Sequence, residues 1–81
     1  MRLFVCNINP VLQEADVKAL FQAYGDVDYF RLEFDKETYR SKGYAYVDMS
    51  PPEAKRAQSE LNGIKLKGCE LIVKPARRGE A

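Results

Sequence analysis

A chain of 81 residues, 46% hydrophobic and 31% charged, has room for one small domain with a core and is too apolar for a disordered tail. It contains no histidine and only two cysteines, so the commonest general base is missing, four-ligand zinc chemistry is not available, and neither an enzyme nor a cofactor is expected. No apolar run approaches about 18 residues and no charged-then-apolar leader opens the chain, so no membrane contact or secretion is expected and the cytoplasm is the expected site, with the nucleus as the other choice.

In chain order, Leu3-Phe4-Val5-Cys6-Asn7-Ile8 reads as a first strand that Asn9-Pro10 breaks. Val17, Leu20, Phe21 and Tyr24 recur at helical spacing and predict an amphipathic helix packed on a sheet. Glu14 and Asp16 suit its start, and Gly25 suits a left-handed end. A second strand over 27–34 turns Phe30, Leu32 and Phe34 inward and Tyr29, Arg31 and Glu33 outward. The polar residues 35–41 form a hairpin loop to a third strand. After it, Ser50-Pro51-Pro52-Glu53 has the pattern of a capping box, with serine as N-cap and glutamate three residues on. The second helix buries Ala54, Ala57 and Leu61 and ends at Asn62-Gly63. Residues 64–68 make a turn-rich connection to a last strand over 70–74, with Leu71 and Val73 inward and Ile72 and Lys74 outward. A domain over 1–76 is then followed by a short basic tail, 77–81. By parity Cys6 faces outward and Cys69 shares the inward side with Leu71, so the two are expected as free thiols, in keeping with a reducing compartment.

The third strand, Lys42-Gly43-Tyr44-Ala45-Tyr46-Val47-Asp48-Met49, carries the functional signal. Strict alternation sends Lys42, Tyr44, Tyr46 and Asp48 to one side and Gly43, Ala45, Val47 and Met49 to the other. Two exposed aromatic rings beside a cation suit a single-stranded nucleic acid, whose bases stack and whose phosphates meet the charge. These eight residues resemble the octamer signature of the RNA recognition motif, departing from it at Tyr46, where the pattern has phenylalanine, and at Met49, where it has a second aromatic. Residues 3–8 resemble the family's hexamer on its first strand, with Phe4 at the outward aromatic position. The order strand, helix, strand, strand, helix, strand matches the ferredoxin-like βαββαβ sandwich. The resemblance implies a four-stranded antiparallel sheet in the order 4-1-3-2, two helices on one face, and Phe4, Tyr44 and Tyr46 joined in one platform. Tyr39 stands where family members commonly have glycine, so the family's turn geometry is not carried over to this loop, and its ring is an extra candidate contact.

Charge is only +1 overall, with a pI near 7.7, which is less basic than the family's function suggests. Its distribution counts for more: Arg2, Arg31, Arg40, Lys42, Lys74, Arg77 and Arg78 fall on the sheet face, its edge loop or the tail, whereas Glu14, Asp16, Glu53 and Glu60 fall on the helices. The reading is therefore a monomeric module for single-stranded RNA, and more weakly for single-stranded DNA. Phe4 and Tyr44 stack bases, Tyr46 touches a base or sugar, and Lys42 meets a phosphate. Arg31, Lys74, Arg77 and Arg78 are secondary contacts, and Glu33 or Asp48 is an acceptor for an exocyclic amine. The alternative is a protein-interaction module of the same fold.

Overall fold

The computed structural model describes residues 1–76, so Arg77 and Arg78 lie outside the described residues. The elements are β1 (Arg2–Cys6), α1 (Glu14–Gln22), β2 (Val27–Phe34), β3 (Ser41–Met49), α2 (Pro51–Leu61), β4 (Lys65–Leu66), β5 (Cys69–Glu70) and β6 (Ile72–Pro75). The main sheet has the order β2-β3-β1-β6 with every pair antiparallel. Taking β6 as the fourth long strand, this is the expected 4-1-3-2 arrangement.

Period-two alternation explains how the sheet builds its core. Leu3 and Val5 of β1, Leu32 of β2, Ala45, Val47 and Met49 of β3, and Val73 of β6 are all buried. They meet Val17 and Phe21 of α1 and Ala54, Ala57 and Leu61 of α2 in a single cluster, so both helices cover the same face. The residues that α2 turns inward are mostly alanines, which lets that helix lie close to the sheet. Phe21 is fully buried and packs on Phe30, with ring centroids 6.5 Å apart. Burying one such side chain contributes about 1.5–3 kcal/mol.

Several local expectations change. Phe34 was expected inward but is 43% exposed. The register slips between Leu32 and Phe34, and such a bulge bends the end of a strand away from its regular face. The Ser50 side chain makes no capping bond. Glu53 instead lies over Gly25, where an added Cβ would collide with its carboxylate; the φ of Gly25, +153°, is in the range that favours glycine, in keeping with its place after α1. The reciprocal N-terminal contact is at the other helix, where the Gln13 N–H donates to the Asp16 carboxylate at 2.9 Å. The strand expected over 70–74 is divided, because β4 and β5 form a separate two-stranded hairpin before β6 begins. Lys67 and Gly68 both have positive φ, 54° and 83°, the mark of a two-residue primed turn.

The loop after β2 keeps a left-handed residue even without glycine. Tyr39 has φ +61° and is held there by neighbours: its N–H donates to the Asp35 carbonyl at 2.8 Å, and the Asp35 N–H donates to the Arg40 carbonyl at 2.7 Å. The Asp35 carboxylate accepts from the Glu37 and Thr38 N–H groups at 2.8 and 3.2 Å. These bonds hold the Asp35 carboxyl below its usual range.

Two tests follow from this packing. In urea unfolding, Phe21→Ala and Leu71→Ala should each lose about 2–5 kcal/mol, which can unfold a domain of this size. Tyr39→Gly should gain about 1 kcal/mol, because a left-handed non-glycine residue carries strain of that order.

Candidate nucleic-acid interface

The face of the sheet opposite the helices is arranged in transverse rows set by strand register. In the central row Lys74, Phe4, Tyr46 and Arg31 lie side by side across β6, β1, β3 and β2. A second row holds Ile72, Cys6 and Tyr44, and a third holds Arg2, Asp48 and Tyr29. The Phe4 ring is 5.3 Å from Tyr46 and 5.7 Å from Tyr44, and the two tyrosines stand edge to face at 6.2 Å. Tilted contacts of this kind lock each ring against the others. All three side chains are half-buried, so each keeps surface open to solvent. Lys74 Nζ lies 5.4 Å from the centre of the Phe4 ring.

Gly43 explains why this strand needs a glycine one residue before its first tyrosine. Its φ is +84°, and a Cβ there would stand 3.1 Å from the Ile8 carbonyl oxygen. The Gly43 carbonyl accepts the Ile8 N–H at 3.0 Å. The chain just after β1 is thereby held against β3 beside Tyr44.

Charge on this face is partly closed on itself. Arg2 donates to both oxygens of Asp48, from Nε at 2.6 Å and Nη2 at 2.8 Å, and its guanidinium lies 5.2 Å from the Tyr29 ring centre. Arg31 pairs with Glu33 at 2.9 Å. The Arg2 hydrogen bond, opposed by burial, holds the Asp48 carboxyl below its ordinary value. Lys42 and Lys74 are exposed and form no ion pair among the described residues.

Residues 3–72 match the family model described as the RNA recognition motif. The chain belongs to the RNA recognition motif family. A Nostoc protein, RbpD, provisionally named for RNA binding, is 37% identical over 99% of this chain and 86% of its own length. The multiple RNA-binding domain-containing protein 1 of Schizosaccharomyces pombe is 36% identical over 94% of this chain but only 9% of its own length. Among solved structures, a Sex-lethal protein–RNA complex superposes with a TM-score of 0.91 at 35% identity, over 96% of this chain and 47% of that one. The Rna15 RNA recognition motif with bound RNA (GU) superposes at 0.88 with 25% identity, over 99% of this chain and 86% of that one.

In this RNA recognition motif Phe4, Tyr44 and Tyr46 come together as the family resemblance implied, with Lys74 beside them and Lys42 two residues before Tyr44. Arg31 reaches the same face but is engaged by Glu33, and both carboxylates considered as base acceptors are held by arginines. The Cys6 thiol is free and lies between Tyr44 and Ile72 in its row. Tyr29, left out of the expected contacts, is 40% exposed on the same face; its outward parity was visible, but its partner Arg2 was not. Tyr39 lies off the platform, where with Val11 and Phe34 it borders a groove of about 500 Å³ beside the start of α1.

The Asp48 pair gives a pH test. A carboxyl whose folded pKa is lowered contributes stability that is complete above its unfolded value, near 3.9, and lost as pH falls through the folded value. Wild type should therefore exceed Asp48→Asn in melting temperature at neutral pH, and the gap should close as pH drops below about 4.

Proposed function

We propose that this domain binds single-stranded RNA on the open face of its sheet, by stacking bases on Phe4 and Tyr44 while Tyr46 touches a base or sugar. The observation that carries the reading is the triad of rings within 5.3–6.2 Å of one another on a solvent-facing surface. Aromatic rings on a solvent-facing surface gain little from burial, and unstacked bases offer flat faces that can lie on them. Lys42 and Lys74 meet phosphates. Arg31, Arg77 and Arg78 are secondary contacts. Single-stranded DNA binds more weakly by the same stacking. The domain acts as a monomer and as a binding module rather than a catalyst, in the cytoplasm or the nucleus.

A protein-binding role for the same fold would draw on another part of the surface, the groove beside Val11, Phe34 and Tyr39, where apolar side chains are exposed. The platform carries the reading here because its rings and exposed lysines match nucleic-acid chemistry on both counts.

Fluorescence anisotropy with a randomised single-stranded RNA provides the test. Tyr44→Ala and Phe4→Ala should each weaken binding by about 1–3 kcal/mol, while losing about 0.5–1.5 kcal/mol of stability for the ring contacts removed. With two to four phosphates met, log affinity should fall by about 0.7 per contact for each log unit of salt. Binding that survives Tyr44→Ala, or a salt slope equal to six or more contacts, would remove the platform as the site.

A further inference from the structure

We propose that Tyr29 and Arg2, the latter held by Asp48, form an additional base-stacking subsite that extends the platform across β2 for a further nucleobase of the same strand. This inference rests on the RNA-binding reading and goes beyond its three rings.

The subsite is built from three strands. Arg2, Asp48 and Tyr29 are register partners across β1, β3 and β2, one row along from Lys74, Phe4, Tyr46 and Arg31. Adjacent rows on one face are two residues apart, about 6.8 Å along a strand. A single-stranded backbone crosses such a step between successive unstacked bases. The row is open: Tyr29 is 40% exposed, and the Arg2 and Asp48 side chains are 37% and 28% exposed.

Its chemistry is that of a flat surface. A guanidinium plane and an aromatic ring are the two protein groups on which RNA bases stack, and here they lie 5.2 Å apart. The Arg2 guanidinium is fixed by two bonds to Asp48, at 2.6 and 2.8 Å. That arrangement limits the loss of rotamer freedom when a base arrives. It also decides what the site does not do. Arg2 is already neutralised by a carboxylate, so a phosphate would have to compete with Asp48 for it. The subsite therefore adds stacking without adding a counterion-releasing contact.

Salt dependence and strand length separate this from the rest of the platform. Affinities of randomised single-stranded RNA pools of four and of eight nucleotides are compared for wild type, Tyr29→Leu, Arg2→Lys and Tyr44→Ala. Tyr29→Leu keeps an apolar side chain on the sheet, and Arg2→Lys keeps the charge without the plane. The proposal expects the advantage of the longer RNA to shrink by about five-fold or more in both, with the salt slope unchanged. Tyr44→Ala should instead weaken both lengths together. A length advantage equal to that of wild type in the two variants overturns the subsite. Failure of wild type to bind either pool, or indifference to Tyr44→Ala, overturns the RNA-binding reading and this inference with it.

Discussion

The pairing of β1 with β3 is the constraint on which the rest of the molecule depends. Register sets Phe4 opposite Tyr46 and Cys6 opposite Tyr44, and it sets Leu3 opposite Val47 and Val5 opposite Ala45 on the other face. One set of backbone hydrogen bonds thus positions the core and the aromatic surface together. A slip of one residue would turn every one of these side chains to the wrong face. The fully buried Leu3, Val5, Ala45 and Val47 make that slip costly, so the geometry of the rings is maintained by the stability of the core behind them. Gly43 completes the constraint, since only a residue without a side chain brings β3 so close to the Ile8 carbonyl.

Across the open face, charge is arranged differently from what a count of arginines suggests. Arg2 and Arg31 are each satisfied by a carboxylate on a neighbouring or nearby position. Exposed pairs of this kind contribute little to folding. Their effect is to hold planar guanidinium groups in place while lowering the attraction of the face for polyanions. Among the described residues, Lys42 and Lys74 are exposed lysines of β3 and β6 that form no ion pair, and Lys74 lies beside the Phe4 ring.

Most of the fold was legible because its signals are periodic. A period of two placed Phe4, Tyr44, Tyr46 and Lys74 outward and Leu71 and Val73 inward, and a period near 3.6 placed Val17 and Phe21 under the sheet. What was not legible depends on contacts between distant residues. The Arg2–Asp48 pair spans β1 and β3, and the value of Tyr29 as a surface emerges only once Arg2 is seen over its ring. Glu53 had the spacing for a capping box, but Gly25 supplied another place for its carboxylate. Alternation failed at Phe34 because a register shift intervened. The β4–β5 hairpin is signalled only by Lys67-Gly68 between very short strands, too brief for periodicity to register. At Tyr39 a hydrogen-bonded loop overrides the residue's own backbone preference.

The closed ion pairs also govern timing. Steered encounters with a polyanion reach about 10⁸–10⁹ M⁻¹s⁻¹, against about 10⁵–10⁶ M⁻¹s⁻¹ without steering. A face that has neutralised Arg2 and Arg31 internally belongs toward the slower end. On the proposed mode of binding, strands would be captured at similar rates whatever their sequence and told apart by how long their bases stay on the rings. Duplexes, whose bases are already stacked, would find little to hold them. Discrimination would then be a matter of dwell time.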